Sequence, residues 1–233
     1  NIHKGEFSIE KGPLFPSIVL ADEINRAPAK VQSALLEVMA EKQISIGNQT
    51  FPLNDFFLVL ATQNPIDQEG CYQLPQAQSD RFMMKVKMTY PSMEEENLLL
   101  ITQDQRNTHN PKQLFDYNTI KELQQTAHSI YVDDKINNYV LDIVHATRFP
   151  SKYKLDIKDY IECGASPRAS LDFIRAAKAY ALIQKRNYVI PEDIRYIAPD
   201  ILRHRILLSY EAHSQEITTE EIIDNILNSL KIP

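Results

Sequence analysis

Ser17-Ile18-Val19-Leu20-Ala21-Asp22-Glu23-Ile24-Asn25-Arg26-Ala27-Pro28 is the stretch that decides how the rest of the chain is read. It opens as a continuous apolar run and stops abruptly at two carboxylates, the pattern of a strand buried on both faces of a parallel sheet. Pro28 suits the first turn of a following helix, where its missing N–H costs nothing. Val31, Ala34, Leu35, Val38 and Met39 then recur at helical spacing up to about Glu41. Ile44-Ser45-Ile46, Gly47-Asn48 and the residues to Phe51 predict a hairpin, because Gly-Asn supports a primed turn. A second buried strand is expected at Phe56–Ala61 and a third at Phe82–Met88. Strand, helix, hairpin, strand is the order of an α/β layer built on a parallel sheet.

The style of the sequence changes near Tyr90-Pro91. Beyond it, amphipathic spacing predicts helices at about 92–104, 118–129, 133–148, 167–186, 191–206 and 218–231. Several of their starts carry caps: Ser166 before Pro167, and the acidic openings Pro191-Glu192-Asp193 and Thr218-Thr219-Glu220-Glu221. Leu171, Ile174, Ala177, Ala181 and Leu182 form one broad face suited to core packing. Two domains are expected, an α/β core over 1–90 and an all-α bundle over 91–233.

Composition narrows the function. The 233 residues are 43% hydrophobic and 24% charged, enough to bury a core and too balanced for wholesale disorder. With 25 Lys and Arg against 31 Asp and Glu, the formal charge of −6 is the wrong sign for a sequence-independent nucleic-acid coat. Cys71 and Cys163 form no zinc or disulfide framework. No apolar run approaches the ~20 residues of a membrane span, and Asn1 opens no signal-peptide pattern. A cytoplasmic location is expected.

Four features could carry chemistry. Asp22 and Glu23 end the first strand, where open α/β sheets place their ligand crevice. One carboxylate there can help hold Mg²⁺ while its neighbour polarises a water, although an acidic pair can also simply cap a turn. Asn64, in Ala61-Thr62-Gln63-Asn64-Pro65 after the second strand, can both donate and accept; the plainer alternative is a turn residue before proline. Arg81, in Ala77-Gln78-Ser79-Asp80-Arg81-Phe82, can stabilise charge on a transferred phosphoryl group or form an ordinary salt bridge. Arg168 sits in the first turn of a helix, an unfavourable place for a cation without an anionic partner.

The order of these features matters more than any one of them. Strand–Asp-Glu, strand–Asn, Arg, then a helical domain opening with Arg resembles the later half of an AAA+ ATPase module, and most closely the MoxR family. The resemblance is carried by Asp22–Pro28, Gln32-Ser33-Ala34-Leu35-Leu36-Glu37, Ala61–Gly70, Leu74–Phe82, Ala165-Ser166-Pro167-Arg168-Ala169-Ser170 and Arg203-His204-Arg205. It spans about Gly12 to Ala212 and is weakest over 92–160. It implies a partial AAA+ parallel-sheet layer followed by an all-α lid. Asp22 becomes the Walker B acid of the Mg²⁺ shell and Glu23 the activator of the attacking water. Asn64 becomes sensor 1, Arg81 an arginine finger serving a neighbouring subunit's ATP, and Arg168 the sensor 2 arginine. Arg26 is a weaker candidate for an inter-subunit contact, and His204 for a partner contact. The hairpin 43–53 matches the insertion before the sensor 1 strand, and Lys4–Gly12 the end of an insertion in helix 2. By the same resemblance the protein is a hexameric remodelling or maturation factor, often partnered by a von Willebrand factor A domain protein.

One part of the pattern is missing. A GxxxxGK[ST] loop is required to cradle the phosphates, yet Gly5, Gly12, Gly47, Gly70 and Gly164 never precede Lys-Ser or Lys-Thr in that spacing. The chain is therefore expected to be the C-terminal portion of a longer protein and to bind ATP poorly alone. Two alternatives stay open. An MCM-like motor shares the hairpin insertion, although Ile44–Phe51 carries no Lys or Arg to grip a nucleic acid, and a magnesium-chelatase-like subunit would differ mainly in its client. A non-catalytic module would use the helical domain to bind a partner.

Overall fold

The computed structural model describes residues 12, 14–46, 49–64, 74–102 and 112–233. Most of the Lys4–Gly12 segment, the Gly47-Asn48 turn, Pro65–Gly70 and Cys71 lie outside the described residues. The chain forms two compact units, Asn1–Phe82 and Met83–Pro233.

The first unit carries β1 (Ile18–Ala21), α1 (Ala29–Glu41), β2 (Gln43–Ile46), β3 (Gln49–Pro52), β4 (Leu58–Ala61) and the short α2 (Gln76–Ser79). β1 and β4 pair in parallel, from Ile18 opposite Leu58 to Ala21 opposite Ala61. The ladder runs past both strand ends, since Thr62 N donates to Ala21 O at 3.0 Å and Ile24 N to Thr62 O at 3.0 Å. α1 stops at Lys42, whose left-handed backbone (φ 50°) turns the chain straight into the hairpin. There β2 and β3 pair antiparallel, from Gln43 opposite Pro52 to Ile46 opposite Gln49.

Four expectations need correction here. Pro28 is the residue before the helix, extended at ψ 148°, and not in its first turn. Val31 is exposed, and α1 instead buries Gln32, Leu35, Leu36 and Val38. β1 is not covered on both faces: Val19 is buried, but Ile18 and Leu20 alternate outward and remain 54% and 66% exposed. Leu58 and Leu60 of β4 share this exposure, so among the described residues one face of the two-stranded sheet has no layer over it. Phe82–Met88 is not a strand. From Met83 on its backbone is bonded within the second unit: Lys85 N donates to Asp200 O at 2.8 Å, and Arg205 Nη1 to Met83 O at 3.4 Å.

The second unit contains α3 (Met93–Thr102), α4 (Tyr117–Ser129), α5 (Asp134–Arg148), β5 (Ile161–Cys163) and α6 (Pro167–Ile183). It continues with α7 (Pro191–Leu202), β6 (Leu207–Leu208), α8 (Tyr210–Ser214) and α9 (Thr219–Ser229). Side-chain caps set the starts. Ser166 accepts from Arg168 N, Asp133 accepts from Lys135 N, and Thr218 exchanges bonds with Glu221 in a full capping box. Val140, Ile143 and Val144 of α5 meet Phe173 and Ala177 of α6, Ile194 and Ile201 of α7, and Ile222, Ile223 and Ile226 of α9 in one core. The stripe on α6 runs Ala169, Asp172-Phe173, Ala176-Ala177, Ala181, so Phe173 replaces the expected Leu171, which is exposed. α7 ends at Leu202, short of the expected 206.

Candidate functional site

Asp22, Glu23, Thr62 and Asn64 come together at the carboxyl ends of β1 and β4. The in-register parallel pairing brings Ala21 beside Ala61, so the residues after each strand emerge side by side. The Thr62 hydroxyl joins Asp22 to Glu23. Thr62 Oγ1 donates to Asp22 Oδ1 at 2.5 Å and accepts from Glu23 N at 2.8 Å, using both capacities of a hydroxyl at once. The bond to the carboxylate is charge-assisted and therefore among the stronger ones. Residue type alone does not mark Thr62 within Ala61–Gly70; its signal is a hydroxyl directly after a strand opposite an acidic pair.

Glu23 has φ 48° and ψ 52°, left-handed values that cost a non-glycine residue about 1 kcal/mol or more. Its backbone is held there by Thr62 Oγ1, and the chain continues into a tight 3₁₀ turn over Ile24–Arg26. The strain turns the carboxylate-bearing residue out of the strand direction. Arg26 Nη1 lies 3.1 Å from Glu23 Oε2; this pair is half-exposed and worth little energy. The inter-subunit role expected for Arg26 therefore competes with an intramolecular partner. Asn25 is buried and its Nδ2 donates to Asn64 O at 3.3 Å, which ties the two strand ends again. Gln32, 2% exposed, donates from Nε2 to Ile24 O and Ala27 O, both at 3.1 Å, and so anchors the turn to α1. Hard oxygen donors with one exposed carboxylate are the chemistry that Mg²⁺ with retained waters accepts.

Arg81 follows α2 in the same unit, and its Nη1 donates to Leu36 O on α1 at 3.2 Å. A main-chain carbonyl thus stands where a salt-bridging carboxylate was the simple expectation.

Arg168 belongs to the second unit, where its N–H donates to Ser166 Oγ at 3.2 Å at the start of α6. The loop before it is built tightly. Gly164 approaches the end of α5 so closely that a Cβ there would lie 2.4 Å from Thr147 O. Thr147 Oγ1 accepts from Ala165 N at 3.0 Å, and Arg148 Nε donates to Ala165 O at 2.5 Å. These bonds fix Ala165, the residue before Ser166-Pro167-Arg168, against the end of α5, a task that nothing in the sequence pattern assigns to Thr147 or Arg148.

Two residues expected only as family markers carry structure. Arg205 is 1% exposed and pairs with Asp172 Oδ2 at 2.6 Å. Arg203 donates to Glu220 Oε1 at 3.0 Å and to Asp200 Oδ1. Burial alone would push the Glu220 carboxyl up, but hydrogen bonds from Lys87 and Arg203 outweigh it and hold the group down at about 2. Among the described residues no group of His, Cys, Asp and Glu forms a metal cluster, and no helix is long and apolar enough to cross a membrane.

Comparison with known proteins agrees with this layout. Residues 1–84 match the family model described as ATPase family associated with various cellular activities (AAA), and residues 154–226 match the AAA lid domain. Chaperone MoxR1 of Mycobacterium tuberculosis is 47% identical over 98% of this chain, which spans 60% of that protein's length. Protein MoxR of Paracoccus denitrificans is 27% identical over 98% of this chain and 73% of its own. The crystal structure of a candidate ATPase from Cytophaga hutchinsonii superposes with a TM-score of 0.94 at 47% identity, covering all of this chain and 71% of that one. The chain is an AAA α/β unit followed by a helical lid, and it belongs to the MoxR family of AAA ATPases.

Proposed function

We propose that the intact protein is a Mg²⁺-dependent ATPase that couples hydrolysis to the remodelling or maturation of a protein partner. The single observation that carries this reading is the Thr62 hydroxyl, which holds Asp22 and the Glu23 backbone together at paired parallel strand ends. In this role Asp22 and its water shell hold the cation, which neutralises phosphate charge when bound. Glu23 takes the proton of the attacking water, and Asn64 orients that water against the terminal phosphate. Arg81 acts on the nucleotide of a neighbouring protomer in a hexamer, and Arg168 touches phosphate from the lid. A GxxxxGK[ST] loop to cradle the phosphates is not among these 233 residues, so the 233-residue chain alone binds nucleotide poorly. The protein works in the cytoplasm, and a von Willebrand factor A domain protein is the class of partner to test first.

Steady-state hydrolysis by the intact protein tests the reading. Glu23→Gln is expected to retain ATP and lose turnover by about 10²–10⁴-fold, the usual contribution of a positioned base. Unchanged turnover in that variant would remove Glu23 from its role.

A further inference from the structure

Arg203 and Arg205, just past the end of α7, direct donors to the backbone downstream of Phe82. Arg205 Nη1 donates to Met83 O at 3.4 Å and to Ile201 O at 3.1 Å, while Asp172 holds its Nη2. Arg203 Nη1 donates to Lys85 O, and Lys85 N returns a bond to Asp200 O at 2.8 Å. Lys87 Nζ reaches Glu220 Oε1 at 2.7 Å, the same oxygen that accepts from Arg203 Nε. Residues 83, 85 and 87 are thus fastened in turn, at the two-residue period of an extended chain, and Met84 packs on the lid core between them. A buried guanidinium is costly to desolvate, and apolar side chains of similar volume often replace a buried ion pair without loss of stability. What the arginines add is a fixed backbone.

Arg81 and Phe82 are bonded within the first unit. Arg81 N donates to Gln78 O at 3.1 Å and Phe82 N to Ser79 O at 3.0 Å. The hydrogen bonds of the first unit run to Phe82, and those of the second begin at Met83.

We infer that Arg203, Arg205 and Glu220 are positioning residues that clamp Met83–Lys87 to the lid, so that the lid's state is transmitted to Arg81 two residues before the clamp. This rests on the proposed role of Arg81 toward a neighbouring protomer's nucleotide. A clamp of this kind changes how well the transition state is stabilised more than how tightly ATP is held.

The test uses the intact protein as homo-oligomers and as equal mixtures with Glu23→Gln subunits, which keep their own Arg81 and clamp. Arg203→Ala alone is expected to lower kcat at least 10-fold with KM for ATP within 3-fold. Mixing is expected to restore its rate per competent site, as it restores Arg81→Ala. Lys87→Ala, on a side chain that is 61% exposed, is expected to show a 2- to 3-fold loss with the same rescue and an unchanged melting temperature, so a misfolded Arg203→Ala leaves the question decidable. Full activity in both clamp variants, or no rescue while Arg81→Ala is rescued, overturns the clamp and leaves the proposed ATPase intact. An Arg81→Ala protein with normal turnover overturns both.

Discussion

The two units of this chain bury their apolar residues to very different degrees. In the second, Phe173, Ile143, Ile194 and Ile223 are completely enclosed, drawn from four helices into one core. In the first, a two-stranded parallel sheet leaves Ile18, Leu20, Leu58 and Leu60 between 42% and 66% exposed. Full burial of such a side chain is worth about 1.5–3 kcal/mol, and these four forgo roughly half of it. The helical unit holds itself together, while the unit that carries the acidic pair has organised its strand ends without enclosing its sheet. Geometry at the Asp22–Thr62 cluster rests on hydrogen bonds that link β1, β4, the turn after β1 and α1, with Val19, Ile24, Leu35 and Leu36 buried in the same unit.

Substitution at Phe173 is the largest way to break this contrast. Phe173→Ala is expected to destabilise the helical unit by about 3–5 kcal/mol, because α5, α7 and α9 cannot all collapse into the space. Urea unfolding followed by circular dichroism reads the loss. A cost under about 1 kcal/mol would mean that the core is looser than its burial indicates.

Glu220 sharpens the same contrast through pH. Its folded carboxyl lies near 2, below the 4.5 of an unperturbed glutamate, so its ion pairs stabilise the fold above that ordinary value. The contribution fades as pH falls from about 4.5 toward 2. Because the side chain is 28% exposed, solvent trims the effect to on the order of 2 kcal/mol. Glu220→Gln should lose that amount at neutral pH and show a flatter acid limb in stability measured from pH 5 to 2. An acid limb as steep as the parent's would place the titration elsewhere.

The helical unit was legible in the sequence because its signals are local. Ser166-Pro167 and Thr218–Glu221 announce helix starts, and the structure uses both as caps. The hairpin was legible for the same reason. What failed was non-local. Ser17–Ala21 reads as doubly buried, because apolar composition cannot say whether a second layer is present. Phe82–Met88 reads as a strand, because an extended apolar segment looks the same whether a strand or the side chains of Arg203 and Arg205 satisfy it. At the candidate site, residue type exposed Asp22, Glu23 and Asn64, but Thr62 becomes informative only once β1 and β4 are side by side. Gln32 was hidden likewise, a polar residue on the buried face of a helix whose partners lie in a turn upstream.

The smallest effect is also the most local test of the contrast, since it compares two adjacent residues on β1. Val19 is 8% exposed and Leu20 is 66% exposed, on opposite faces of the same strand. In the 233-residue chain, Val19→Ala should cost about 1–2 kcal/mol. Leu20→Ser should change stability by less than about 0.5 kcal/mol, as a surface substitution does. Hydrogen exchange at the β1 and β4 amides isolates the first unit from the stronger helical one. Equal costs at the two positions would mean that something covers the outer face of the sheet. If the intact protein shows a larger Leu20 penalty than the 233-residue chain, the covering layer comes from sequence beyond these residues. That layer would then support the strand ends that carry Asp22 and Thr62.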